Sequence, residues 1–406
     1  MKKKKIFAMI ILAAMLLILC ACEKPAGDND SNVSDDRPIE TFDPDMVIEW
    51  RDPYVEKSVR AELGLYEYDY EDDSFSGFNN EPITVSDVSS IEELDIWGQD
   101  IWNGDYTGVN VVNLYDLKYF ANLKKLTIWR SDVRDLSPLY SLTGLCELDF
   151  VQGYQDVTQF AGLTQLTGLN FMCFYQDIDL SPIAELTNLE SFGVQNAYAE
   201  YDQIIDLKPL LGLTKLKNLS ISGNFSDLSP LSQLTSLETL WIDSENIVDI
   251  SPISSLTNLR TLRVMCESTR PVDIKGLQAL AELAGLKRLI LDYTAITYIP
   301  SLKKLTSLEE LFLNNTMIDD ISPLDGLVSL THLNISDTLV SDISVLAGLT
   351  SLKTLVMCNL SITDLSPLSG LTSLEYLDIR GCDNIKDLTP VKNLPNLRTL
   401  DTEWED

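Results

Sequence analysis

The chain has 406 residues, 45% apolar and 23% charged, which excludes a wholly disordered polypeptide and a small disulfide-stapled domain. Its 62 Asp and Glu against 30 Lys and Arg give a formal net charge of −32. Nucleic acid is thereby excluded as a main ligand, because its phosphates need a basic footprint, and the single histidine, His332, excludes chemistry built on several histidines.

In chain order, Lys2, Lys3, Lys4 and Lys5 precede an uncharged apolar run from Ile6 to Leu19. That run is shorter than the ~20 residues that cross a bilayer comfortably, and small residues follow it, so it reads as an export signal. Leu19-Cys20-Ala21-Cys22 resembles the bacterial lipobox. The resemblance implies cleavage after Ala21, leaving 1–21 as signal peptide, and diacylglyceryl attachment at Cys22. Cys20 fits less well, since Leu19 would then occupy the −1 position. Two acyl chains suffice for stable anchoring, so the expected location is the outer face of the cell membrane. Loss of the four lysines makes the remainder still more acidic, and such a body projects away from an anionic surface.

Residues 22–45 are expected to be a flexible acidic tether. Asp28, Asp30 and Asn32 resemble a calcium loop only superficially: Val33 stands where the turn glycine belongs, and no Glu closes the loop. Order is expected from Met46, with 46–90 as a helical cap. Asp52-Pro53 is a helix start, Val55, Val59 and Leu63 form one apolar stripe, Glu56 and Arg60 can pair, and Gly64 supplies the stop. Thr84-Val85-Ser86-Asp87 reads as a capping box before a second short helix. Residues 65–80, acidic and aromatic, are expected to form a surface loop.

From 91 to 406 one phrase recurs. Its strand part is Leu-x-x-Leu-x-Ile, as in Leu123/Leu126/Ile128, Leu216/Leu219/Ile221, Leu308/Leu311/Leu313 and Leu374/Leu377/Ile379. The phrase begins at 91, 123, 145, 166, 189, 216, 237, 259, 286, 308, 330, 352, 374 and 397, which predicts about 14 strands. A tag follows each turn, as in Asp135-Leu136-Ser137-Pro138-Leu139 and Asp364-Leu365-Ser366-Pro367-Leu368. A period near 22 residues with this leucine pattern marks leucine-rich repeats. The predicted fold is therefore α/β: a leucine-rich repeat solenoid, a gently curved horseshoe with a parallel β-sheet on its concave face, a short 3-10 or extended convex side, and the helical cap at its N-terminal end. The spaced Leu and Ile point inward, and no single repeat can bury that face alone. Proline in the tag blocks a ladder hydrogen bond and favours the short return.

Three residues past the last strand position, a side chain must satisfy buried turn backbone. That place holds Ser131, Asn224, Thr294, Thr316 and Thr338, with Glu245 and Leu360 as departures, so a partly threonine-based ladder between turns is expected. The whole pattern resembles the 22-residue repeats of internalins and related bacterial surface proteins. Residues 52–64 and 83–88 resemble the internalin N-terminal cap. The resemblance covers roughly 46–402 and implies a surface protein that recognises a partner. Two parts of the internalin pattern, an immunoglobulin-like module after the repeats and a wall-sorting motif, have no counterpart in these residues, so host-cell invasion is not carried over.

Residues flanking the inward leucines face the concave surface. At the middle position, Trp241, Arg263, Ile290 and Phe312 fall in four consecutive repeats; Arg288 and Glu310 flank them on one side, and Met265 on the other. Exposed aromatics, Met and Arg on one face are the composition of an interaction hot spot, and the arginines favour an acidic or carboxylate-bearing ligand group. The blander alternative is that β-propensity alone puts Trp, Ile and Phe on strands. Trp97, Trp102 and Tyr106 are placed in a first long insertion that covers the sheet edge, and Tyr198 and Tyr201 in a second. A third holds Ile274, Leu277, Leu280 and Leu283 at helical spacing and is expected to be a full convex helix.

Beyond Cys20 and Cys22, the cysteines Cys146, Cys173, Cys266, Cys358 and Cys382 show no C-x-x-C spacing. Cys173 and Cys266 lie four repeats apart, roughly 20 Å, too far to bridge, and Cys358 with Cys382 is an offset pair, so thiols are expected. His332 lacks the partners of a triad, no phosphate-binding glycine loop is present, and acidic pairs carry no weight in so acidic a chain. The expected object is a lipid-anchored, monomeric binding protein without catalytic residues, metal or cofactor, which recognises a protein or peptide. A cell-envelope or host polysaccharide is the alternative ligand, and a hydrolase the remote one.

Overall fold

The computed structural model describes residues 42–65, 67–69, 74–76, 81–97, 111–129, 131–151, 157–174, 178–197, 204–266 and 275–402. The signal run, Cys22 and most of the tether lie outside the described residues, as do Trp102, Tyr106, Tyr198, Tyr201 and Ile274.

The cap follows from its own sequence. Asp52 N-caps the helix Pro53–Glu62, its Oδ1 accepting the Tyr54 and Val55 N–H groups at 2.8 and 3.1 Å. Its Oδ2 accepts Asn113 N–H at 2.7 Å, and Asp116 Oδ2 accepts Arg51 N–H at 2.6 Å, so two buried carboxylates tie the cap to the first repeats. Val55 and Val59 are fully buried, and Arg60 reaches Glu56 at 2.8 Å. Thr84 and Asp87 form the capping box of the helix Val85–Val88. The expected loop at 65–80 instead contains two short antiparallel strands, Glu67–Asp69 and Ser74–Ser76. Glu67-Tyr68-Asp69 and Ser74-Phe75-Ser76 each alternate polar with aromatic residues, a strand-like period of two.

Beyond the cap runs one 14-stranded parallel sheet, with its strands in chain order from Glu93–Trp97 to Thr399–Asp401. Pairing is residue for residue: Leu219 lies beside Leu240, Leu240 beside Leu262, Leu262 beside Leu289 and Leu289 beside Leu311. The inward leucines therefore stack into one continuous core, in which Leu240, Leu262, Leu289 and Leu311 are all fully buried. Trp97, placed by sequence in the first insertion, ends the first strand of this sheet.

The return side is a series of 3-10 helices. In Ser137–Ser141, Ser181–Glu185, Ser229–Gln233 and Ser251–Ser255, proline stands in the first turn and the following Leu or Ile is buried. The tag's aspartate caps the first free N–H: Asp135 Oδ1 accepts Ser137 N–H at 2.9 Å, and Asp227, Asp249 and Asp364 take the matching serine at 2.8 Å. The expected convex helix of the third insertion is, within the described residues, another 3-10 helix, Leu277–Glu282. The interval of three between Leu277, Leu280 and Leu283 is the 3-10 period, and all three are buried.

The turn ladder is built differently from expectation. Thr294, Thr316 and Thr338 are buried, but each hydroxyl donates within its own repeat, to Leu291, Leu313 and Ile335 carbonyls at 2.5, 2.8 and 2.9 Å. Between repeats, the predicted Asn224 accepts from Asn246 Nδ2 at 2.7 Å and the Ser244 hydroxyl donates to the Phe225 carbonyl at 2.7 Å, while amides just before the strand leucine, Asn188, Asn258 and Asn396, donate to the Thr164, Thr235 and Thr372 carbonyls at 3.0, 2.9 and 2.8 Å. Hydroxyls elsewhere do cross, as Thr331 does to the Glu309 carbonyl at 2.9 Å, so the inward turn of these three is set by where each hydroxyl stands. Cys146, Cys266, Cys358 and Cys382 are thiols. Burial pushes the Cys146, Cys358 and Cys382 thiols up in pKa, away from the reactive thiolate.

Candidate functional site

The strand register brings the predicted row together. Trp241 lies directly beside Arg263, Arg263 beside Ile290, and Ile290 beside Phe312, all half-buried on the face opposite the leucine core. Each side chain stands there because its two neighbours in the strand point inward. Arg263 lies over the Trp241 ring, 5.4 Å from its centroid, and Arg288 over Phe312 at 5.3 Å. These are cation–π contacts that flatten both guanidinium groups into the surface. The Trp241 indole N–H is buried and has no acceptor among the described residues.

Two details depart from the sequence reading. Met265 is only 6% exposed; its sulfur receives the Arg263 Nε–H at 3.0 Å, so it supports the arginine rather than presenting itself to a ligand. The arginines also meet carboxylates of their own chain. Arg288 Nε lies 3.1 Å from Glu310, and Asp292 sits close enough to both Arg263 and Arg288 to feel their charge. The charge of Arg288 is thus answered in part by Glu310.

Burial pushes Asp292 up to about 6, against the opposing pull of the Asn314 backbone N–H, held at 2.8 Å, and of the two arginines. Because the folded pKa lies above the ordinary 3.8, this group's contribution to stability is complete below about pH 4 and is lost as pH rises through 6. The tag aspartates act with the opposite sign. Hydrogen bonds from the serine two residues on hold Asp179, Asp227, Asp249 and Asp364 below the usual carboxylate range, so their contribution is lost as pH falls below about 4. Asp292→Asn keeps an acceptor for Asn314. It is expected to raise stability at pH 7 by of order 2 kcal/mol and to leave it unchanged at pH 4, as read by denaturant unfolding at the two pH values. Equal effects at both would contradict this assignment.

Elsewhere on the same face, Trp97 stacks on Trp129 with centroids 4.8 Å apart and planes 3° from parallel, and Trp97 remains 53% exposed. At the other end, Tyr376 donates to Asp401 at 2.6 Å, which pushes the phenol up to about 12, while Arg380 pairs with Asp378 at 2.6 Å. His332 lies between Glu310 and Thr354 in register, its Nδ1 2.9 Å from the Thr331 hydroxyl. Among the described residues, no group of three or more His, Cys, Asp or Glu is placed to hold a metal ion, and no helix is long and apolar enough to cross a membrane.

Sequence reasoning missed the internal pairing of the arginines and a rim of exposed apolar residues, Tyr293, Met317 and Leu339, at the C-terminal ends of the strands. The signal for the rim was present: Met317 and Leu339 are 22 residues apart, at a turn position where Asn246 and Ser361 stand in other repeats.

A family model described as leucine-rich repeats (2 copies) matches residues 285–326, 328–370 and 350–393. Solved structures with the same architecture include an internalin from Listeria monocytogenes, 24% identical, covering 88% of this chain and 96% of that one with a TM-score of 0.57. A leucine-rich repeat protein of Leptospira interrogans is 18% identical over 86% of this chain and 98% of its own, with a TM-score of 0.55. The leucine-rich repeat ectodomain of a plant membrane receptor kinase from Arabidopsis thaliana, solved in complex with Casparian strip integrity factor 2, is 15% identical. That match covers 79% of this chain and 42% of the ectodomain, with a TM-score of 0.52. No curated protein matches the chain in sequence. In fold, the chain is a leucine-rich repeat solenoid like that of an internalin.

Proposed function

We propose that this chain is a cell-surface recognition protein, held to the membrane by a lipid on Cys22, whose concave face binds a protein or peptide through Trp241, Arg263, Arg288, Ile290, Glu310 and Phe312. The observation that carries the reading is the contiguous row Trp241, Arg263, Ile290 and Phe312. Aromatic, aliphatic and guanidinium groups stand side by side on a rigid sheet, half-exposed and needed by no core. Trp and Arg are the residue types that dominate interface energetics, and a preorganised sheet costs little entropy to present them. The test is chemical crosslinking on intact cells, with the captured protein identified by mass spectrometry and its capture lost in a Trp241→Ala/Phe312→Ala variant. Capture that survives the double substitution would remove the concave row from the account.

The anchor has its own test. Cys22→Ala is expected to move the protein from the membrane fraction to the medium and to abolish incorporation of labelled fatty acid. Retention in the membrane would refute lipidation at that residue. A polysaccharide ligand draws on a separate observation, the stacked and half-exposed Trp97 beside Trp129. Glycan-array binding that survives Trp241→Ala and is lost in Trp97→Ala would favour it.

A further inference from the structure

Where the strands turn toward the convex side, Tyr293, Met317 and Leu339 are 44%, 43% and 61% exposed. Met317 and Leu339 occupy the same place in adjacent repeats. Met317 N–H donates to Ile296 at 2.9 Å and Leu339 N–H to Ile318 at 2.8 Å, so the two stand about one strand spacing, ~4.8 Å, apart. Tyr293 lies in the preceding repeat, its N–H donating to Asn314 at 3.0 Å. The fold does not need these side chains: Thr316 and Ile318 fill the interior on either side of Met317, and Thr338 and Val340 do so around Leu339.

Tyr293 is also a poor choice for its own backbone. Its φ is +57°, in the left-handed region, and the equivalent residues of the next four repeats are Asn315, Asp337, Asn359 and Gly381, the types that tolerate it. Two carboxylates flank Met317 and Leu339, while beside Tyr293 the Asp292 carboxyl is close to Arg263 and Arg288. Asp319 and Asp337 are exposed beside Met317 and Leu339, with no cation within ion-pair distance among the described residues. Arg288, in the repeat of Tyr293, is already paired with Glu310.

We infer that the partner of the concave face continues over this rim, and that the part seated on Tyr293, Met317 and Leu339 is a protein segment carrying Lys or Arg beside aliphatic or aromatic side chains. Apolar side chains flanked by the Asp319 and Asp337 carboxylates complement such a segment and repel an acidic one. This inference rests on the concave-face reading and adds a footprint and a charge to it.

The test pans a displayed random dodecapeptide library against the full chain. Enriched peptides are expected to combine Lys or Arg with Leu, Ile or Phe, and to bind more weakly as salt rises. Met317→Ser/Leu339→Ser, at exposed positions, is expected to weaken them about tenfold. Asp319→Asn/Asp337→Asn is expected to weaken them and flatten the salt dependence. Enrichment of acidic peptides, absence of any enrichment, or indifference to the Met317→Ser/Leu339→Ser variant would overturn the inference. Trp241→Ala/Phe312→Ala separates the two readings. Peptides weakened by both pairs support one continuous footprint; peptides lost with Trp241→Ala/Phe312→Ala alone leave the concave face standing and end the rim, and peptides lost with the rim pair alone remove the concave row and with it the continuous footprint.

Discussion

Leu311→Ala is expected to destabilise the solenoid by about 2–5 kcal/mol, with the damage concentrated in its own repeat and the two beside it. Leu311 is fully buried and lies in register between Leu289 and Leu333. Truncation leaves a cavity whose walls are fixed by the spacing of the ladder, so collapse onto it is limited, and the cost falls toward the upper end of that range. In a stack that couples only nearest neighbours, the loss is not shared across the whole chain. Hydrogen exchange should therefore accelerate first in the strands Arg288–Ile290, Glu310–Phe312 and His332–Asn334, while Lys125–Trp129 stays protected. Leu400→Ala, in the last strand where the side chain is only partly buried, is the control and should cost less than about 1 kcal/mol. Equal costs at the two sites would mean that the leucine stack does not hold the molecule together.

Trp241→Ala combined with Phe312→Ala is expected to weaken the partner at least about hundredfold, since central aromatic anchors are each worth roughly 2 kcal/mol or more when truncated. The effect exceeds the contact area of two rings. Arg263 rests on Trp241 and Arg288 on Phe312, so both guanidinium groups lose the surfaces that hold them flat. Arg288 keeps its pairing with Glu310, which limits the disorder to the exposed side of the row. The inward leucines are untouched, so unfolding curves of the double variant should overlay those of the parent within about 1 kcal/mol. Titration of the captured partner by calorimetry gives the affinity. An unchanged Kd with an unchanged fold would place recognition elsewhere.

Most of the architecture was legible because a solenoid writes its geometry as a period. The recurrence of Leu-x-x-Leu-x-Ile placed all 14 strands and the register that sets Trp241 beside Arg263, and the capping chemistry of Asp52 and Thr84 fixed the helices before the repeats. What escaped depends on distances between repeats that a period does not encode. The spacing of Leu277, Leu280 and Leu283 suits an α-helix loosely and a 3-10 helix closely, and only the short return path decides between them. That the Thr294, Thr316 and Thr338 hydroxyls turn back on their own strand while Asn188, Asn258 and Asn396 cross to the preceding repeat is a matter of side-chain placement. The same holds for the site. Four residues of the row were visible as a column, but the pairing of Arg288 with Glu310 and the covering of Met265 by Arg263 required side-chain placement.

The central claim is that the inner face of the sheet, and not the 3-10 side, meets the partner. A photo-crosslinking residue placed at Thr261, on the inner face beside Arg288, and in a second variant at Ser255, on the 3-10 helix just before that strand, tests it directly in intact cells. The account predicts a discrete protein adduct from position 261 and none from position 255. Equal adducts from both positions, or an adduct from 255 alone, would contradict it.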